Sequence, residues 1–149
     1  GSGFVEARDL TDYKVSLIEE NIKRHGLSNM GAVCMDATVF DEASVEKADI
    51  LICDLPCSGL GVLGRKKDIR YKMTEQSLDG LAELQKEILD TVHTYVYSTC
   101  TMNPAENEEN VRWFINRYPE FELETSKQMF PKEIGNDGFF IAVLKRNGR

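Results

Sequence analysis

Two cysteine-bearing segments about forty residues apart, Asp54-Leu-Pro-Cys-Ser-Gly59 and Ser98-Thr-Cys-Thr-Met-Asn-Pro-Ala105, each follow an apolar run that reads as a buried strand. They bring two thiols, Cys57 and Cys100, to the carboxyl ends of neighbouring strands, where open α/β sheets hold their ligands. A cysteine there acts through its thiolate, and a position just ahead of a helix start favours that form because amide groups and the helix dipole face it. Acids occupy comparable places. Asp54 ends the run before Cys57, while Asp9 and Asp36 end two shorter strand signals nearer the amino terminus.

The elements that must position these residues alternate between strand and helix, the pattern of an α/β fold with a mostly parallel sheet. Residues 4–9 read as a strand, and Thr11 caps a helix whose Val15, Ile18 and Ile22 recur at spacings of three and four before Gly26 stops it. A short strand around 32–34 follows. Residues 48–53 form a continuous apolar run of the kind a strand buried on both faces shows. A charged loop over about 55–75 leads to a helix marked by Leu81, Leu84, Ile88, Leu89 and Val92, then to a strand at 95–97. Asn103, Pro104 and Glu106 fit the cap, first residue and third-position acid of the next helix, which buries Val111, Phe114 and Ile115. Strands over 121–125 and 139–145 close the chain, the second opened by a turn at Asn136-Asp-Gly138.

The chain is 149 residues long and 42% hydrophobic, enough for one domain with its own core, here taken as 1–149. With no apolar stretch near eighteen residues and no charged-then-apolar leader, neither a membrane span nor a secretory signal is expected, and the expected compartment is the cytoplasm. The four cysteines, at 34, 53, 57 and 100, are expected to be reduced thiols, because Cys34 and Cys53 lie inside apolar runs. Eighteen basic residues stand against 25 acidic ones, so nucleic-acid contact must be local. Its best place is Arg65-Lys-Lys-Asp-Ile-Arg-Tyr-Lys72, five basic residues and one acid just after the Cys57 loop. Arg65, Lys66, Lys67, Arg70 and Lys72 could meet phosphates and Tyr71 could stack on a base, although a charge run is more often a solvated face.

Two features depart from a complete domain. The helix holding Leu89 and Val92 runs straight into Tyr95-Val-Tyr97, where a connection of two to six residues, commonly with glycine, is usual, so a turn near 94–95 is expected to be missing. The chain also opens where a doubly wound nucleotide-binding unit has its second strand, which puts the first strand and glycine-rich loop upstream of Gly1.

Three segments, Asp54-Leu-Pro-Cys-Ser-Gly-Leu-Gly61, Ser98-Thr-Cys-Thr-Met-Asn-Pro-Ala-Glu-Asn-Glu108 and Asp137-Gly-Phe-Phe-Ile-Ala142, resemble those of the S-adenosylmethionine-dependent RNA (cytosine-5) methyltransferases, with the closest likeness to the bacterial small-subunit ribosomal RNA enzymes. A proline-cysteine followed by a threonine-cysteine at the next strand end separates these from the DNA enzymes, which rely on the proline-cysteine thiol. The resemblance implies a Rossmann-like methyltransferase fold with helices on both faces of the sheet, S-adenosylmethionine as cofactor, and ribosomal RNA as the leading substrate. It implies that Cys100 attacks carbon 6 of the base, Cys57 assists breakdown of the covalent adduct, and Asp54 hydrogen-bonds the cytosine. Asp9, Asp36 and Asp54 become the cofactor candidates, with Asp9 on the ribose hydroxyls and Asp36 on the adenine amino group. Pro56 would stiffen the loop against the RNA base. The target base must be unstacked to reach Cys100. Neither a metal nor a membrane partner is implied. A transfer RNA substrate, a catalytically silent RNA-binding relative, and a redox or metal protein built on Cys53, Cys57 and Cys100 remain the alternatives, the last on weak ligand spacing.

Overall fold

The strands of the chain form two separate sheets in a computed structural model that describes residues 3–42, 47–93, 95–131 and 136–147. They belong to two compact units, residues 1–40 and 41–149, and each unit has its own architecture.

In the first unit, β1 (Val5–Asp9) pairs in parallel with β2 (Met30–Cys34), joined by the helix α1 (Asp12–Arg24). Thr11 caps α1 by accepting the Lys14 amide, and Gly26 takes the left-handed backbone conformation just past its end, as their residue types require. Asp9 lies opposite Cys34 in the ladder, and the Met35 amide donates to the Asp9 carbonyl at 2.9 Å, so the two strands end side by side.

The second unit carries a four-stranded sheet in the order β3 (Ile52–Asp54), β4 (Val96–Thr99), β6 (Phe139–Arg146), β5 (Phe121–Met129). β3 and β4 are parallel, whereas β6 runs antiparallel to both β4 and β5, so the sheet is mixed. A single turn of helix, α2 (Ile69–Lys72), precedes α3 (Glu75–Val92), and α4 (Glu108–Arg117) lies between β4 and β5. Thr74 and Ser77 form a reciprocal cap on α3, a device worth about 1 kcal/mol.

Alternation along β6 decides where the core lies. Phe140, Ala142 and Leu144 point to one face and join Cys53, Tyr97, Ile88, Leu89, Val111, Phe114 and Phe121 in a single buried cluster, which places α3 and α4 together over that face. Phe114 and Phe140 are fully buried, and removing each ring from water contributes roughly 1.5–3 kcal/mol. The run over 48–53 does not form a strand buried on both faces. β3 covers only three residues at the edge of its sheet, and Ile50 and Ile52 are 67% and 70% exposed, because α3 and α4 cover only the face to which Cys53 points.

The expected helix start at Pro104 also differs. Pro104–Glu106 is a turn of 3-10 helix capped by Asn103, which accepts the Ala105 amide, and the α-helix proper begins at Glu108. The break falls at Asn107, whose amide is drawn inward to the Thr101 carbonyl at 3.1 Å and whose oxygen accepts the Thr99 hydroxyl at 2.6 Å. Of the suspected helix-to-strand junction, Thr94 lies outside the described residues, and His93 ends α3 in a left-handed conformation. Among the described residues no helix is long and apolar enough to cross a membrane.

Candidate active site

Parallel pairing of β3 with β4 sets Asp54 opposite Ser98, so the chain segments leaving the two strands start side by side. The Leu55 amide continues the ladder onto the Ser98 carbonyl at 3.2 Å, and the Ser98 hydroxyl donates to Asp54 Oδ1 at 3.3 Å. Two residues further on, the thiols meet. Cys57 Sγ and Cys100 Sγ are 3.2 Å apart, and the Cys100 amide also donates to Cys57 Sγ at 3.3 Å. Both cysteines are half-buried, and none of the four cysteines forms a disulfide.

Burial, then the hydrogen bond and charge of Cys100, push the Cys57 thiol up to about 12. At neutral pH Cys57 therefore keeps its proton and can share it in a hydrogen bond with the neighbouring sulfur.

The segment after Cys57 is welded to two others by close backbone approach. The Gly61 amide donates to the Cys100 carbonyl at 3.0 Å, and the Gly138 amide donates to the Gly61 carbonyl at 2.7 Å. A Cβ on Gly61 would sit 2.1 Å from the Gly138 oxygen and 2.8 Å from the Cys100 oxygen, so only glycine fits. Arg65 reinforces this join with an ion pair to Asp137 at 3.1 Å, which at its exposure adds little energy.

Beneath the thiols lies a polar cluster that includes Ser58, Gln85, Thr101, Glu106, Asn107 and Asn110, all buried. Read from sequence, Glu106 is a capping acid at a helix start; in the structure it is fully buried and its Oε2 accepts the Ser58 amide at 2.8 Å. Gln85 was also unmarked in sequence. It stands on the apolar stripe of α3 between Leu84 and Ile88, and a polar residue on a core-facing stripe is the one signal that could have revealed it. Its amide donates to the Pro56 carbonyl at 2.8 Å and so holds the proline of the cysteine loop. Pro56 itself is exposed.

The remaining acids occupy strand ends as expected. Asp36 Oδ1 accepts both the amide and the hydroxyl of Thr38, at 2.9 and 2.7 Å, and these bonds hold its carboxyl below its usual value. Asp9 Oδ1 accepts the Thr11 amide at 3.4 Å and faces Lys14 Nζ at 3.4 Å. In both acids the contacts fall on Oδ1, and Oδ2 takes part in none of them. Asp9 and Asp36 belong to the first unit; Asp54, Cys57 and Cys100 belong to the second.

The basic segment is exposed. Lys67, Arg70 and Tyr71 line a groove with Leu63 and Gly64, and Tyr71 is 85% exposed. Lys72 is paired with Asp68 at 2.7 Å. Among the described residues no group of three His, Cys, Asp or Glu side chains converges in a way that could hold a metal ion.

Comparison with known proteins bears on this arrangement. A family model described as "16S rRNA methyltransferase RsmB/F" matches residues 1–145. The chain is 33% identical to ribosomal RNA small subunit methyltransferase F of Cronobacter sakazakii, with 97% of this chain and 35% of that protein covered. It is 36% identical to the probable ribosomal RNA small subunit methyltransferase B of Bacillus subtilis, covering 98% of this chain and 38% of that protein. Among solved structures it is similar to NSun6 from Pyrococcus horikoshii with SFG, at a TM-score of 0.81 and 28% identity over 99% of this chain and 42% of that one. The chain thus spans little more than a third of the two curated relatives.

Proposed function

The chain belongs to the RsmB/F family of 16S rRNA methyltransferases, and from that premise we propose that its two-cysteine site methylates carbon 5 of a cytosine in small-subunit ribosomal RNA. The observation that carries this reading is the pair of sulfurs 3.2 Å apart at the ends of two parallel strands. Carbon 5 of cytosine is too weak a nucleophile to take a methyl group unaided, so a thiolate must first add to carbon 6. In this reading the Cys100 sulfur forms that bond, nitrogen 3 takes up a proton as the ring electrons shift toward it, and Asp54 accepts the hydrogen bond of that protonated edge. After methylation the carbon 5 proton passes to solvent, the sulfur–carbon 6 bond breaks as the carbon 5–carbon 6 double bond is restored, and nitrogen 3 gives up the proton it gained. Cys57, a protonated thiol beside Cys100, hydrogen-bonds the departing sulfur.

S-adenosylmethionine supplies the methyl group when bound. Two acids at adjacent strand ends, each with one oxygen outside its local bonds, fit a ligand rich in hydroxyl and amino donors: Asp9 would take the ribose hydroxyls and Asp36 the adenine amino group.

Methyl transfer from labelled S-adenosylmethionine to small-subunit ribosomal RNA tests the reading. With Cys57→Ala, the adduct is expected to form and persist, visible as protein that migrates with RNA on a denaturing gel. A Cys57→Ala protein that turns over normally and leaves no adduct would refute the role given to Cys57.

The exposed segment 65–72 is proposed as an RNA contact. Replacing Lys66, Lys67 and Arg70 with glutamine should weaken RNA binding and flatten its salt dependence by about 0.7 in slope for each phosphate that these side chains neutralise. A salt slope identical to that of the unmodified protein would return the segment to the status of a solvated face.

A further inference from the structure

We infer that Glu106 is the positioning residue that keeps Cys57 and Cys100 in contact, an inference that rests on the two-cysteine reading above and assigns a role to a residue outside it. Each cysteine is followed by a hydroxyl residue, Ser58 after Cys57 and Thr101 after Cys100, and those two hydroxyls meet at 2.7 Å. The Glu106 carboxylate takes both segments. Its Oε2 accepts the Ser58 amide at 2.8 Å and Gln85 Nε2 at 3.1 Å, while its Oε1 accepts Asn103 Nδ2 at 3.1 Å and the Thr101 hydroxyl at 3.4 Å. A single side chain thus ties the two thiol-bearing segments together one residue away from each sulfur.

The type of residue follows from its partners. All four are donors, and only a carboxylate offers an acceptor to every one. Glu106 is fully buried and makes no ion pair among the described residues, so its desolvation is offset by these hydrogen bonds alone. Its backbone is held as well. The Tyr97 hydroxyl donates to the Glu106 carbonyl, and burial raises the pKa of that hydroxyl, which keeps it a donor. Gln85 anchors the same carboxylate to α3 and is itself fixed by Asn110 Nδ2 at 2.7 Å. A side chain bonded from α3 and from both thiol segments, on a backbone held from β4, resists any relative shift of those segments. Glu106 does not touch the sulfurs; it fixes the two stretches of backbone that carry them.

The consequence for the reaction concerns the return step. The Cys100 sulfur must leave its resting position to reach the base and come back to meet the Cys57 thiol. If the carboxylate is removed, the thiols fall out of register and release slows, while RNA binding is untouched.

The experiment uses the full chain and two readouts. In the first, diamide oxidises the reduced protein: the two thiols lose two protons and two electrons to the nitrogen–nitrogen double bond of the reagent, a sulfur–sulfur bond forms, and mass spectrometry follows its rate. In the second, methyl transfer to small-subunit ribosomal RNA is measured. Glu106→Gln turns one acceptor into a donor, and Glu106→Asp keeps a carboxyl group but shortens its reach to the Ser58 and Thr101 segments. Glu106→Gln should close the Cys57–Cys100 disulfide about tenfold more slowly or worse, lower kcat by a similar factor with KM for RNA within about twofold, and accumulate covalent adduct. Closure at the unmodified rate in both variants would overturn the inference. If Glu106→Gln does not fold, Glu106→Asp decides alone: slowed closure supports the role and unchanged closure refutes it. If the variants close slowly while the unmodified protein transfers no methyl group to this RNA, the positioning role stands and the proposed function fails.

Discussion

Replacing Cys100 with alanine is expected to abolish methyl transfer to small-subunit ribosomal RNA, by on the order of a thousandfold or more, because the covalent route through carbon 6 then has no nucleophile. The nearest substitute cannot take over. Cys57 is 3.2 Å away, but burial, the largest cause of its raised pKa, remains when Cys100 is replaced, so its thiol keeps its proton at pH 7. Its sulfur also accepts the Cys100 amide, which holds it to its present place. The same loss should appear in adduct formation: Cys100→Ala forms none, and combined with Cys57→Ala it removes the adduct that Cys57→Ala alone accumulates. Cys34→Ser provides the control. Cys34 is an exposed thiol at the end of β2 in the first unit, and its replacement should leave transfer unchanged. Normal transfer by Cys100→Ala would remove the basis of the proposed reaction.

Gly61→Ala should do nearly as much damage without touching a reactive group. The added methyl would sit 2.1 Å from the Gly138 oxygen and 2.8 Å from the Cys100 oxygen, and both contacts are backbone, which cannot rotate away. The three segments must separate, breaking the Gly61-to-Cys100 and Gly138-to-Gly61 hydrogen bonds and dragging Cys100 out of its place beside Cys57. Overpacking of this kind costs roughly 1–3 kcal/mol, and two broken backbone hydrogen bonds add about 1 kcal/mol each. A fall in Tm of roughly 10 °C and a loss of transfer are expected together. Gly80→Ala is the matched comparison, since a Cβ at this position in α3 meets nothing within 4 Å. There the same substitution should stabilise the protein by about 0.5–1 kcal/mol and leave transfer unaffected. A Gly61→Ala protein with unchanged Tm and activity would show that the weld between these segments has no role.

The thiols and acids were legible in the sequence because each sits at a strand end, and strand ends are marked locally: an apolar run stops and a polar or turn residue follows. Cys57, Cys100, Asp54, Asp9 and Asp36 all occupy such places in the structure. The caps on α1 and at Pro104 were legible for the same reason, since a cap reaches only three residues along the chain. Misreadings came where a local signal competed with a distant partner. Glu106 has the spacing of a capping acid, yet Ser58 and Gln85, forty-eight and twenty-one residues away, draw its side chain into the interior. The apolar run over 48–53 has the composition of a strand covered on both sides, but how much of it is covered depends on what packs there, and Ile50 and Ile52 stay exposed.

What the sequence by itself determined is the set of elements and the chemistry at their ends: alternating strands and helices, two thiols and three acids. Those follow from periodicity and residue type, which are properties of neighbours in the chain. Only the tertiary structure decided that the two sulfurs touch, that burial raises the pKa of the Cys57 thiol, that one buried carboxylate ties both thiol segments together, and that Gly61 must lack a side chain. Each of these depends on segments more than twenty residues apart meeting within a few ångströms, with water excluded between them. Burial sets the protonation of a thiol and the worth of a hydrogen bond, and burial belongs to the packed chain.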